Sequence, residues 1–197
     1  LEENLPALKD LILTLIKNGM KKLVVTGTCY EYGDYEGKLK ETLTSKPNNR
    51  YAQAKDNLRK YIEYICTTAD VDWVWIRIFY IYGEGQNKNA LLQSLENAIK
   101  SGDKTFPMSD GNQERDFLHV DEIAKMLLEA ANNKDAKGIY NGGSGKPISL
   151  SDFAKQKKHE MKSSIKLLYG AKDVREGEPY KAWADMRRWK ALKPWYD

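Results

Sequence analysis

Tyr51 and Lys55 stand four residues apart at the start of an amphipathic stretch, and on a helix that spacing sends both side chains from one face. A phenol with a pKa of about 10 is a poor base at neutral pH. An ammonium within a few ångströms favours the phenolate and lowers that value, so the pair can take a proton from an alcohol. A lone Tyr-x-x-x-Lys is also a common surface pair, and its context decides between the two. Thr28 follows an apolar run, 23 positions ahead of Tyr51 and four before Tyr32. Its hydroxyl reads either as a turn group bonded to its own backbone or as one that orients a substrate oxygen.

These residues need elements to hold them. Leu5, Leu8, Leu11, Ile12, Leu15 and Ile16 recur at helical spacing up to Asn18-Gly19, and residues 22–26 then form a short apolar run flanked by charge and Gly27. A polar loop with Asp34, Gly37 and Pro47 leads to a second helix from Asn49, and residues 71–79 follow as a β-rich run closed by Tyr82-Gly83-Glu84-Gly85. Helix, strand, helix, strand is the rhythm of a doubly wound parallel sheet, with residues 22–26 and 71–78 as parallel strands. Trp73 and Trp75, two apart on one strand face, read as core. Further on, the pattern predicts a helix over 90–100, a short strand over 115–120 and a helix over 120–131. Tyr140 to Gly145 reads as a loop before Pro147, ahead of a helix from Ser151 and an aromatic tail.

Composition narrows the function classes. With 197 residues, 41% hydrophobic and 30% charged, the chain can bury one substantial core and is far from a disordered balance. Its net charge of +4 comes from interspersed charges, and Lys155-Gln156-Lys157-Lys158-His159 reads as a solvated helix face rather than a nucleic-acid patch. Cys29 and Cys66 lack CxxC spacing and no histidine cluster accompanies them, so neither a metal site nor a disulfide framework is expected. No apolar run approaches the ~20 residues of a membrane span, and no signal-peptide pattern opens the sequence. A cytoplasmic location is the expectation.

Several blocks together carry a resemblance. Thr28-Cys29-Tyr30-Glu31-Tyr32-Gly33, Tyr51-Ala52-Gln53-Ala54-Lys55, Arg77-Ile78-Phe79-Tyr80-Ile81-Tyr82-Gly83, Arg115-Asp116-Phe117-Leu118-His119-Val120 and Tyr140-Asn141-Gly142-Gly143-Ser144-Gly145 resemble, in order and spacing, the extended short-chain dehydrogenases/reductases, the NAD-dependent epimerase/dehydratase family. The likeness runs into the tail, through Arg175-Glu176-Gly177-Glu178 and Ala184-Asp185. Within the family the chain looks most like the branch that acts at C4 of dTDP-6-deoxyhexoses, and sibling epimerases and dehydratases share most of the framework.

The resemblance implies a partial doubly wound, Rossmann-type α/β sheet over residues 1–87 and, over 88–197, mainly a smaller nucleotide-sugar-binding lobe with some segments returning to the sheet. It implies an NAD- or NADP-linked oxidoreductase whose catalytic residues are Thr28, Tyr51 and Lys55. Tyr51, Lys55 and Phe79 would meet the cofactor, and Cys29, Tyr30, Tyr80, Asn89, Arg115 and Arg175 the nucleotide sugar. Arg115 and Arg175 would clamp the diphosphate, since a guanidinium forks onto two oxygens, or each would be a surface ion pair. Asn89 would contact the nucleotide sugar, cap the following helix, or both. The helices near Leu5 and Tyr51 resemble the pair through which family members form homodimers.

One departure from the family is plain. The glycine-rich turn after a first strand, and the acidic residue about 20 positions later that binds a ribose, are not among these 197 residues. The expectation is that the family's cofactor-binding segment lies ahead of Leu1. Two readings follow: an enzyme that works with that segment supplied, or a non-catalytic module that binds a nucleotide sugar or another chain.

Overall fold

The computed structural model describes residues 4–174 and 179–192. Arg175, expected at the diphosphate, lies outside the described residues, as do Glu176, Gly177 and Glu178.

The main sheet has three parallel strands in the order β1 (Lys22–Thr28), β3 (Asp72–Ile78), β8 (Gly138–Gly142). Thr28 stands opposite Ile78, and Ile78 opposite Gly142, so the carboxyl ends of the three strands finish level. Side chains alternate across β3. Trp75 packs with Ile12 of α1 (Asn4–Lys17) and with Leu58, Ile62 and Cys66 of α2 (Arg50–Thr68) on one face. Val74 and Ile76 pack on the other face with Ala130 of α4 (Val120–Asn132) and Tyr140. Covered on both faces, the strand is apolar throughout its middle, as the run over 71–79 requires.

β8 departs from the loop expected at Tyr140 to Gly145. Its Gly138, Asn141 and Gly142 hide a strand from propensity, because these residues are depleted in strands generally. They suit this one because Asn141 donates to Leu39 O at 2.8 Å and accepts from Tyr32 at 2.6 Å. A Cβ at Gly142 would meet Ile76 at 2.7 Å, so only glycine lets the strand lie this close to its neighbour's side chain.

A smaller lobe gathers at the carboxyl ends of the main strands. Its four-stranded sheet runs β2 (Gly37–Leu39), β11 (Lys181–Ala184), β6 (Glu114–Arg115), β9 (Ile148–Ser149). Beside it, α3 (Leu91–Lys100), α5 (Leu150–Glu160), β5 (Thr105–Pro107) and β10 (Lys166–Leu168) close on Leu95, Phe106, Met108, Ala154 and Ile165. A short pair, β4 (Tyr80–Tyr82) with β7 (Phe117–His119), joins the two regions. The regions exchange strands: β2 comes from residues 1–87 and sits in the lobe, while β8 comes from 88–197 and sits in the main sheet.

Candidate active site

β1 ends in Thr28, and a tight 3₁₀ turn, Cys29–Tyr32, follows at once. Thr28 caps that turn: its hydroxyl accepts from the Tyr30 N–H at 3.3 Å, and its own N–H donates to Glu31 Oε1 at 2.9 Å. This reciprocal capping satisfies donors that a helix start leaves open. Glu31 is fully buried, and Trp75 Nε1 and Arg77 Nε reach its carboxylate at 3.0 and 2.9 Å. The Arg77 guanidinium lies 4.4 Å from the centre of the Tyr32 ring. Burial pushes the Tyr32 phenol up to about 12, against the opposing charge of Arg77.

Asn49 caps α2 through the Ala52 N–H at 2.9 Å and so fixes the first turn, which carries Tyr51 and Lys55. Tyr51 is 47% exposed and hydrogen-bonds the Thr28 side chain. Lys55 Nζ donates to Thr26 O at 2.9 Å. The structure therefore brings Thr28, Tyr51 and Lys55 to one place, over the carboxyl end of β1. The direction of the Tyr51 shift differs from the one expected of a phenol beside Lys55. Burial raises its pKa, Cys29 and Glu31 add to the rise, and the Thr28 hydrogen bond opposes it. Burial also lowers Lys55, with Glu31 pulling the other way. Neither residue is among the causes of the other's shift, and in the chain by itself desolvation sets both directions.

Beside this centre a cleft of about 250 Å³ opens into the lobe, lined by Tyr30, Tyr80, Asn89 and Arg115 among others. The Tyr30 and Tyr80 rings meet edge to face at 6.1 Å, and the Arg115 guanidinium lies 5.0 Å from the Tyr80 ring centre. Arg115 Nη1 donates to Glu114 O and Tyr180 O at 3.1 and 3.0 Å. Asn89 does not cap α3: Ala90 occupies that position without a side-chain bond, and the Asn89 N–H turns to Asn87 Oδ1 at 2.9 Å. Cys29 and Phe79 are buried in the core cluster with Tyr32 and Leu39, and Tyr30 and Tyr80 form the cleft wall at this level. Burial pushes the Cys29 thiol up to about 12, which makes it a poor nucleophile.

Sequence reasoning missed Glu31 and the role of Asp116. The Asp116 carboxylate is fully buried and accepts from the Ser144 N–H, Ser144 Oγ, the Gly145 N–H and the Ala184 N–H at 2.6 to 3.0 Å. It ties the loop after β8 to β11, next to Arg115. The signal for Glu31 was an acid in an aromatic turn together with Trp75 and Arg77 two apart on one strand face. Among the described residues no three His, Cys, Asp or Glu side chains gather as a metal would need, and no helix is long and apolar enough to cross a membrane.

Residues 1–143 match the model of the NAD dependent epimerase/dehydratase family. The dTDP-6-deoxy-L-talose 4-dehydrogenase (NAD(+)) of Aggregatibacter actinomycetemcomitans is 26% identical over 173 residues, covering 87% of this chain and 64% of that protein. The ADP-L-glycero-D-manno-heptose-6-epimerase of Brachyspira hyodysenteriae is 30% identical over 152 residues, covering 73% of this chain and 48% of that protein. A solved UDP-N-acetylglucosamine 4-epimerase from Methanobrevibacter ruminantium M1, in complex with UDP-N-acetylmuramic acid, has a TM-score of 0.86 at 27% identity, covering 95% of this chain and 62% of its own. The chain thus spans between 48% and 64% of the length of these relatives. It belongs to the NAD dependent epimerase/dehydratase family, a family of enzymes with a Rossmann-type fold.

Proposed function

We propose that this chain carries the acid–base centre and the nucleotide-sugar cleft of an NAD(P)-linked oxidoreductase acting at C4 of a dTDP-6-deoxyhexose. The observation that carries the reading is the meeting of Thr28, Tyr51 and Lys55 over the carboxyl end of β1, beside the cleft of Tyr30, Tyr80, Asn89 and Arg115. In open α/β sheets, ligands bind outside the carboxyl ends of the strands. The choice of a dTDP-6-deoxyhexose is supported by the likeness to the talose 4-dehydrogenase.

Tyr51 and Lys55 fit a dinucleotide at this edge, since a hydroxyl and an ammonium rise there from one helix turn. A bound nicotinamide cofactor would supply hydride transfer, and Lys55 would hold its ribose. Thr28 holds the sugar 4-oxygen by hydrogen bond. Tyr51 takes the hydroxyl proton as the alcohol becomes a ketone, and returns it when the ketone is reduced. The raised pKa of Tyr51 favours the protonated phenol, which is the form that the reductive direction requires. Arg115 and Arg175 hold the diphosphate, with Arg115 already fixed over Tyr80. The glycine-rich turn of a dinucleotide site is not among these 197 residues. A homodimer forms through α1 and α2.

The test combines the chain with its dinucleotide-binding segment and follows nicotinamide absorbance with dTDP-6-deoxyhexoses and UDP-hexoses. Net cofactor reduction with a dTDP-6-deoxyhexose is expected, together with a 4-ketosugar. Interconversion of C4 epimers without net reduction would make the protein a 4-epimerase, the activity named for the solved relative. Sugar binding without either reaction would leave a binding module.

A further inference from the structure

We propose that Glu31 is a positioning residue for this acid–base centre, because its buried carboxylate fixes the turn that presents the Thr28 hydroxyl to Tyr51 and places a negative charge behind Tyr51 and Lys55. The inference rests on reading Thr28, Tyr51 and Lys55 as the reacting groups. It goes beyond that reading by giving a fourth side chain, which touches neither sugar nor cofactor, a part in how they work.

The geometry comes first. Glu31 is fully buried and its carboxylate receives the Thr28 N–H at 2.9 Å, Trp75 Nε1 at 3.0 Å and Arg77 Nε at 2.9 Å. Two of those donors stand on β3, so the carboxylate anchors the 3₁₀ turn to the centre of the main sheet. Gly27 makes the anchorage possible. A Cβ there would run into the Trp75 indole and meet Glu31 Oε1 at 2.5 Å, so the missing side chain lets indole and carboxylate lie directly over β1. A carboxylate at this point, with an arginine brought to meet it, is costly to bury for packing alone.

The charge has its own consequence. The groups facing the site are Thr28, Cys29 and Tyr32 on the turn, Trp75 and Arg77 on β3, and Tyr51 and Lys55 on α2. Of these, Arg77 and Lys55 are cationic and Glu31 anionic. The negative charge of Glu31 disfavours the Tyr51 phenolate and favours the Lys55 ammonium, so it raises both, adding to burial at Tyr51 and opposing it at Lys55. Removing the charge lowers both. A residue that merely packs would leave both where they are.

The test is Glu31→Gln in the holoenzyme, with Glu31→Asp and Tyr51→Phe alongside. Glu31→Gln is expected to lower kcat by about 10²-fold with little change in sugar KM, the loss associated with a displacement of about 1 Å at a reacting group. In the oxidative direction, where Tyr51 accepts the proton, the rise of kcat/KM with pH is expected to move to lower pH. Glu31→Asp keeps the charge and shortens the reach, so kcat should fall while that rise stays near its original pH. Should Glu31→Gln not fold, Glu31→Gln with Arg77→Met removes both members of the buried pair and is expected to show a smaller displacement in the same direction, because the more distant opposing charge of Arg77 goes with it. A pH profile unmoved in Glu31→Gln, or in the double variant where Glu31→Gln does not fold, with Tyr51→Phe inactive, would overturn the role of Glu31 alone. Turnover retained by Tyr51→Phe would instead overturn the acid–base reading on which it rests.

Discussion

Arg115 is the residue whose role depends most on how its neighbours hold it. Two backbone carbonyls take its Nη1, and the Tyr80 ring lies beside its guanidinium, so the planar head is held at the cleft wall instead of moving freely. Arg115→Lys keeps the charge but loses the fork that matches a diphosphate. It is expected to weaken nucleotide-sugar affinity at least about tenfold, in line with losing one charge-assisted hydrogen bond, with kcat little changed. Calorimetry finding unchanged affinity would remove the clamp role. Asp185 makes a different prediction at the same scale. Its bond to Arg187, 2.6 Å long, holds the carboxyl down at about 2 from an ordinary 3.8. A folded-state value below the unfolded one contributes stability above the unfolded pKa, and that stability is lost as pH falls through the folded value. Wild type is therefore expected to exceed Asp185→Asn in stability at neutral pH and to lose that margin between about pH 4 and pH 2, read by denaturant unfolding across that range.

At the scale of elements, legibility follows periodicity. The leucine and isoleucine spacing of α1, the cap at Asn49 and the apolar run of β3 are local signals, and they mark elements found where the pattern places them. β8 gave no such signal, because its residues are chosen for contacts with Ile76, Leu39 and Tyr32, which lie far away in the chain. Asp116 was hidden for the same reason, since its donors come from other elements, and Glu31 was signalled only by its aromatic turn and by Trp75 and Arg77 two apart, whose meeting with it the fold alone shows. The spacing of Tyr51 and Lys55 was readable, whereas the balance of burial and charge on Tyr51 was not, since desolvation is a property of the packed chain. Gly27 connects these layers. Gly27→Ala is expected to cost about 1–3 kcal/mol as an overpacked site and to lower turnover more than sugar affinity, because the displaced groups are Trp75 and Glu31. Thermal unfolding together with steady-state kinetics measures both. An alanine variant of wild-type stability would show that the indole and carboxylate can move aside without cost.

At the scale of the whole molecule, α1 leaves Leu8, Leu11 and Leu15 exposed on one face, with exposures of 41%, 53% and 39%. A single apolar stripe of this kind calls for cover, and the proposed dimer supplies it by pairing α1 and α2 with those of a second copy. Light scattering of the holoenzyme is expected to give a dimer, and of Leu8→Glu with Leu11→Glu a monomer. A wild-type monomer at micromolar concentration would contradict that arrangement. The central claim is that Tyr51 moves the proton while the cleft binds the sugar, and Tyr51→Phe in the holoenzyme tests it most directly, by kcat measured beside nucleotide-sugar affinity. The expected result is a fall in kcat of about 10²- to 10⁴-fold with affinity nearly unchanged, because the phenolic oxygen acts mainly in the proton-transfer step. Near-normal kcat in the phenylalanine variant would contradict the account and leave Tyr51 as a structural residue of α2.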